Sequence, residues 1–80
     1  MLAGRDGQVR IQCTLAGWVE LRTQVGDRVA SGQLLAIVEG EKQLESLSVR
    51  APSEVVEICV ADGDEVPAGT TLIKVVELAE

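Results

Sequence analysis

Several residue types are absent or scarce in the 80-residue chain, which has no histidine, no tyrosine, no phenylalanine, two cysteines and one tryptophan. Without histidine, neither a serine or cysteine triad with a histidine base nor a histidine-ligated zinc site can form. Cys13 and Cys59 are isolated in the sequence and form no Cys-x-x-Cys motif. We therefore expect two free thiols rather than a disulfide framework, a metal site or a redox pair.

Positive charge and long apolar runs are also scarce. Seven basic residues against thirteen acidic ones give a formal net charge of −6, which argues against a nucleic-acid partner. No apolar run approaches the roughly 18 residues of a membrane-spanning helix, so we predict no membrane partner and a cytoplasmic location. The acidic run at residues 62–65 lacks the remaining positions of a calcium-binding loop. We interpret it as a turn and predict no metal site.

The length of the chain suits one small domain. A chain this short hides only about 60% of the surface that its unfolded form exposes, which argues against a large enzyme pocket. We predict a flexible N-terminal lead at residues 1–8 and a single domain at residues 9–80.

The composition favours β-structure, because twelve valines, four isoleucines and four threonines are β-branched. Apolar and polar residues alternate with a period of two in short runs, which is typical of half-buried strands. These runs lie at residues 9–15, 19–24, 35–39, 47–50, 58–60 and 72–76. Turn residues separate them, which predicts a sandwich or barrel. Trp18, the only aromatic residue, is expected in the core.

The two halves of the chain repeat each other at a spacing of 37 residues. Each half contains Val-Glu-(Leu or Ile), then Gly-Asp-x-Val-x-x-Gly, then a leucine three residues later. The matching segments are 19–21 with 56–58, 26–32 with 63–69, and Leu35 with Leu72. The repeat predicts two similar β-units that pack face to face around one core, since neither can bury its apolar face alone.

The segment that joins the halves, residues 39–45, has no counterpart in the repeat. We expect a hairpin connection that projects away from the chain termini. Lys42, one of only two lysines, lies at its tip between Glu39, Glu41 and Glu45. An exposed lysine on a turn usually serves solubility alone.

Together, the two Gly-Asp-x-Val-x-x-Gly turns and the lysine-tipped hairpin between them resemble the biotinyl/lipoyl carrier domain family, over about residues 9–77. The resemblance implies an all-β flattened barrel, or barrel-sandwich hybrid, of two quasi-symmetric four-stranded halves, each half contributing one sheet. It places Lys42 on the linking hairpin as a covalent attachment site. The chain would then be a carrier, with no catalytic residues of its own.

The residues around Lys42 bear on the cofactor. Glu39-Gly40-Glu41-Lys42 is similar to the pattern of lipoyl domains, in which an acidic, a small and an acidic residue precede the lysine. Biotin carriers usually have methionine on both sides of the lysine, where this chain has Glu41 and Gln43. The resemblance therefore implies a lipoyl group on Lys42, with Glu39, Gly40, Glu41 and Gln43 read by the attaching ligase. Biotin on Lys42 is the alternative, and an unmodified scaffold or interaction module is a third.

The implied partners are a lipoyl or biotin protein ligase and the enzymes of an oxo-acid dehydrogenase or carboxylase complex. After acylation of Lys42, the tip would remain acidic through Glu39, Glu41 and Glu45. Such a patch suits a basic rim on a partner enzyme and would steer association. The same carboxylates equally fit a solvated loop that protects a sheet edge from aggregation.

Overall fold

Eight β-strands form within residues 8–78, the part of the chain that the computed structural model describes. They make two four-stranded antiparallel sheets, with strand orders β1-β8-β6-β3 and β5-β4-β2-β7. The prediction of an all-β barrel-sandwich with four strands from each half is therefore confirmed. The strands are β1 (Gln8–Gln12), β2 (Gly17–Leu21), β3 (Arg28–Val29), β4 (Leu34–Glu39), β5 (Leu44–Ser48), β6 (Ser53–Ile58), β7 (Glu65–Val66) and β8 (Thr71–Glu77).

Each sheet takes two strands from each half, so the expectation that each half forms its own sheet is wrong. The reason lies in the backbone partners of the Gly-Asp turns. The Gly26 N–H donates to the Val55 carbonyl at 2.8 Å, and the Gly63 N–H donates to the Val19 carbonyl at 2.7 Å. Each turn thus hydrogen-bonds to a strand of the other half, and the halves interleave.

The repeat is preserved in three dimensions, with one correction to its register. All four glycines of the two turn motifs have φ between 82° and 96°, which glycine adopts without strain. The pairing of β6 with β8 shifts between Val55 and Glu57, so Val56 is a bulge residue that β2 lacks. Val19 is therefore equivalent to Val55, 36 positions away (55 − 19), and residues after the bulge keep the spacing of 37.

The core between the sheets is aliphatic. Bulges in β4 and β8 turn two consecutive residues inward, Leu35–Ala36 and Leu72–Ile73, where simple alternation places only every second one. Ile37, which simple alternation from Leu35 would place inward, is consequently only half-buried. The largest fully buried side chains are Leu35, Leu72, Ile73, Val38, Val55, Val75, Cys13 and Ser53.

The prediction that Trp18 lies in the core is wrong. Its neighbours on β2, Gly17 and Val19, are buried, so the alternation of the strand turns Trp18 outward. Its side chain is 49% exposed. The outer face of the sheet therefore carries the chain's only aromatic residue.

The remaining expectations concern the thiols and the termini. Cys13 is buried, Cys59 is exposed, and both are free. Gln8 begins β1, whereas residues 1–7 of the predicted lead lie outside the described residues. None of the described segments is a helix that could cross a membrane.

Candidate functional site

The hairpin of β4 and β5 carries Lys42 at its tip. Glu39 and Leu44 form the last strand pair, and residues 40–43 make the connection. The Gly40 N–H donates to the Gln43 carbonyl at 2.8 Å, which closes the loop. Lys42 is exposed. The lysine is thus presented to solvent from a short loop whose ends are fixed by a strand ladder.

Gly17 lets the base of this hairpin approach β2. A Cβ at Gly17 would overlap the backbone carbonyl of Glu39 and come within 2.9 Å of the Gly40 nitrogen. Only a residue without a side chain fits such a contact. The foot of the tip therefore rests directly on the start of β2.

Glu45 fixes the hairpin from its other strand. Its carboxylate accepts the Thr14 N–H at 2.8 Å, the Thr14 hydroxyl at 3.0 Å and the Leu15 N–H at 3.2 Å. Hydrogen bonds to a charged acceptor are the stronger ones in proteins. Glu45 is therefore engaged in structure, and the acidic surface expected from three glutamates reduces to Glu39 and Glu41.

The structure brings the predicted site residues together at the end of one hairpin, with Glu39 as the last residue of β4 and the others in the loop. Glu39 and Glu41 are exposed beside Lys42, as is Gln43, and Gly40 is half-buried at the foot. The ion pairs within residues 8–78 are Arg22–Glu20 and Lys74–Glu57, and neither involves the tip. The Lys42 amine thus stands in an acidic surrounding without a fixed ion pair to any described carboxylate.

Sequence reasoning missed the contribution of residues 15–18. Trp18 pairs with Glu39 across β2 and β4, and it borders a groove together with Leu15 and Lys42. The period-two alternation of β2 could have predicted that Trp18 faces outward, because successive residues of a strand point to opposite faces and Val19 points inward.

The acidic run at residues 62–65 forms the predicted turn over Asp62 and Gly63, and its last residue, Glu65, begins β7. Asp64 accepts the Ala61 N–H at 2.9 Å, as Asp27 accepts the Gln24 N–H at 3.0 Å in the equivalent turn. Asp62 accepts the Leu21 N–H at 2.8 Å. These carboxylates serve the backbone of the scaffold.

A family model described as a biotin-requiring enzyme, the biotin/lipoyl attachment domain, matches residues 12–75. The chain belongs to this family. It is therefore a carrier domain for a covalently attached group and not a catalyst. The resemblance seen in the turns and the hairpin is confirmed.

Relatives add detail. The chain is similar to the biotin carboxyl carrier protein of acetyl-CoA carboxylase from Pyropia yezoensis, with 38% identity over 52 residues. That match covers 65% of this chain and 33% of the relative, so the chain spans about a third of the relative's length.

Solved structures of other proteins share the fold. A single-chain, multi-domain long-chain acyl-CoA carboxylase matches with a TM-score of 0.84 and 22% identity, over 100% of this chain and 8% of its own. An aspartoacylase family protein from Mesorhizobium loti matches with a TM-score of 0.74 and 17% identity, over 88% of this chain and 25% of its own. The same fold therefore occurs in proteins as different as a carboxylase and an aspartoacylase family protein, and at these identities the similarity shows the fold alone.

Proposed function

We propose that this chain is a biotin carrier domain, with biotin joined to Lys42 and carried between the active sites of a carboxylase. The observation that carries the proposal is the position of Lys42 at the hairpin tip of a family member whose relative is named a biotin carboxyl carrier. When attached, biotin accepts and releases carboxyl groups. The proposal replaces the lipoyl group that the tip sequence favours.

The geometry suits acylation of Lys42. The neutral amine would attack the carbonyl carbon of an activated acid, an amide bond would form, the bond to the activating group would break and the nitrogen would lose a proton. Lysine suits this role because four methylenes place its amine far from the backbone. The exposed side chain would let a ligase reach it, and the fixed loop ends would keep the anchor in place.

Glu39 and Glu41 would then guide association. Acylation removes the positive charge of Lys42, which leaves two exposed carboxylates beside the attachment point. Opposite charge on a partner raises the rate of encounter more than the final affinity. We therefore expect a basic rim on the partner enzymes, including the ligase.

A lipoyl carrier is the second candidate, and one observation favours it. The order Glu39-Gly40-Glu41-Lys42 is similar to the tip of lipoyl domains, and no methionine flanks Lys42. An unmodified scaffold is the third, supported by the presence of the same fold in an aspartoacylase family protein.

The deciding experiment is expression of the chain with a biotin protein ligase or, separately, with a lipoyl ligase, followed by intact mass and peptide mapping. We expect one biotinyl increment, located on Lys42. Lys42→Arg should abolish it, and Lys74→Arg should retain it, because Lys74 lies in β8 and is half-buried near Glu57. A lipoyl increment alone would support the second candidate, and an unmodified mass in both cases the third.

A further inference from the structure

A groove opens between the lysine tip and the start of β2. Residues 15–18 line it on the side of β2, residues 40–43 line it on the side of the tip, and Glu65 of β7 also borders it. Its volume of about 460 Å³ lies within the range of small-molecule sites in proteins. Lys42 is itself one of the lining residues.

Contacts within the protein hold the two sides of the groove, residues 15–18 and residues 40–43, next to each other. The carboxylate of Glu45, a residue of β5, accepts hydrogen bonds from the backbone of Thr14 and Leu15. The Gly17 backbone lies against the backbone of Glu39 and Gly40. The wall at residues 15–18 therefore cannot move away from the tip without loss of these contacts. The groove exists before any ligand arrives, so binding in it requires little ordering of the chain.

The internal symmetry shows that the strands pair in the same way without Trp18 and Glu45. Trp18 is equivalent to Glu54, since Trp18 pairs with Glu65 of β7 and Glu54 pairs with Arg28 of β3, the corresponding short strands of the opposite halves. Glu45 is equivalent to Val9, since Val38 and Val75 are their matched partners. The strands thus pair with Glu and Val at these places, and within residues 8–78 Trp18 and the Glu45 bridge both lie at the end that carries Lys42.

We infer that this groove is the resting site of the group attached to Lys42 of the same chain; this inference rests on the proposed function. Trp18 and Leu15 present apolar surface to an acyl chain and its ring. Glu41 and Glu65 provide carboxylate oxygens that accept hydrogen bonds from the two N–H groups of the biotin ring. A lipoyl ring has no N–H donor and would use only the apolar part.

The covalent link to Lys42 favours occupancy of the groove. A group joined to Lys42 stays within reach of the groove, so its effective concentration there is about 1 mM or more. Weak contacts are then sufficient for partial occupancy. A partner active site with higher affinity still extracts the group, because occupancy of the groove is an equilibrium.

The test is NMR of the isotope-labelled domain before and after loading of Lys42 with biotin. Trp18 is the only aromatic residue, so its indole signals are assigned without ambiguity. We expect contacts between the indole protons and the biotinyl group, and shift changes at the amides of residues 15–18 and Glu65. Shift changes confined to residues 41–43, with no contact to the indole, would overturn the inference.

Two variants complete the test. Trp18→Glu installs the residue found at the equivalent position of the other half, and it should abolish the shift changes at residues 15–17. Leu44→Glu is the matched control, because Leu44 is 67% exposed beside the tip but does not line this groove. It should leave those shift changes in place. Equal loss in both variants would contradict a defined site.

Failure of the proposed function can be told apart from failure of the inference. Absence of a mass increment on Lys42 contradicts the function alone. In that case Lys42 is acylated chemically with activated biotin in a Lys74→Arg background, where it is the only lysine. The same NMR contacts are then expected, and their absence overturns the inference even if Trp18→Glu does not fold.

Discussion

The Glu45 carboxylate holds Thr14 by two hydrogen bonds, one from the backbone N–H at 2.8 Å and one from the hydroxyl at 3.0 Å. A third, from the Leu15 N–H, joins the same carboxylate at 3.2 Å. One side chain thereby connects the second strand of the lysine hairpin to the segment that precedes β2. The equivalent position of the other half holds Val9, whose side chain cannot accept a hydrogen bond.

Glu45→Ala should lower the free energy of unfolding by about 1–3 kcal/mol, since it leaves two backbone donors and a hydroxyl without their charged acceptor. The measurement is denaturant unfolding at neutral pH. Glu41→Ala is the control and should lie within about 0.5 kcal/mol of the native chain, because Glu41 is exposed on the tip. Equal effects of the two changes would show that the Glu45 contacts contribute nothing.

Gly17→Ala should also destabilise the fold, by about 1–3 kcal/mol, because the new Cβ meets the backbone of Glu39 and Gly40. Backbone atoms cannot turn aside as a flexible side chain can. Thermal unfolding is the readout, with Ala16→Ser as the control that adds one atom at the exposed neighbour. A Gly17→Ala protein as stable as the native chain would contradict the close approach.

Gly26→Ala and Gly63→Ala should each cost about 1–2 kcal/mol and should match each other within about 0.5 kcal/mol. A Cβ at either residue meets nothing within 4 Å, so the cost is strain at φ values of 96° and 89° alone. Denaturant unfolding of both variants and of the double variant checks the prediction. Unequal costs would show that the two turns differ energetically despite their equivalent hydrogen bonds.

Glu39→Gln with Glu41→Gln should slow association with the ligase by about two- to tenfold at low salt and flatten its salt dependence. The reason is that the exposed tip carboxylates would no longer attract a basic partner surface. Stopped-flow association at several salt concentrations measures it. Glu54→Gln with Glu77→Gln removes the same charge from β6 and β8 and should have a smaller effect; an equal effect would point to net charge alone.

Glu41→Met with Gln43→Met should raise the rate of biotinylation relative to lipoylation, because it installs the methionine-flanked lysine that biotin carriers usually have. The readout is the ratio of the two mass increments after competition between the ligases. Ser46→Met on β5 adds methionine on the same hairpin away from the tip and should leave the ratio unchanged. An unchanged ratio in the tip variant would show that these neighbours do not direct cofactor choice.

Much of the site could be predicted from the sequence. The turn glycines were identifiable because positive φ is a local requirement that glycine meets at least cost. The hairpin and the place of Lys42 followed from the repeat, because residues 39–45 join its two halves, although the structure matches Glu45 of this segment with Val9. The cofactor did not follow in the same way, since the tip sequence favours a lipoyl group and the relative's name favours biotin.

By itself, the sequence determined the local features: short strands, four turns with glycine at positive φ, and a lysine on the connecting loop. Only the tertiary structure decided that the halves interleave, that Trp18 faces outward beside the tip, and that Glu45 bridges to Thr14. The physical reason is that strand pairing and bulges are set by backbone hydrogen bonds between residues far apart in the chain. A single bulge at Val56 shifts the register between β6 and β8. No local sequence pattern predicts which strand will pair with which.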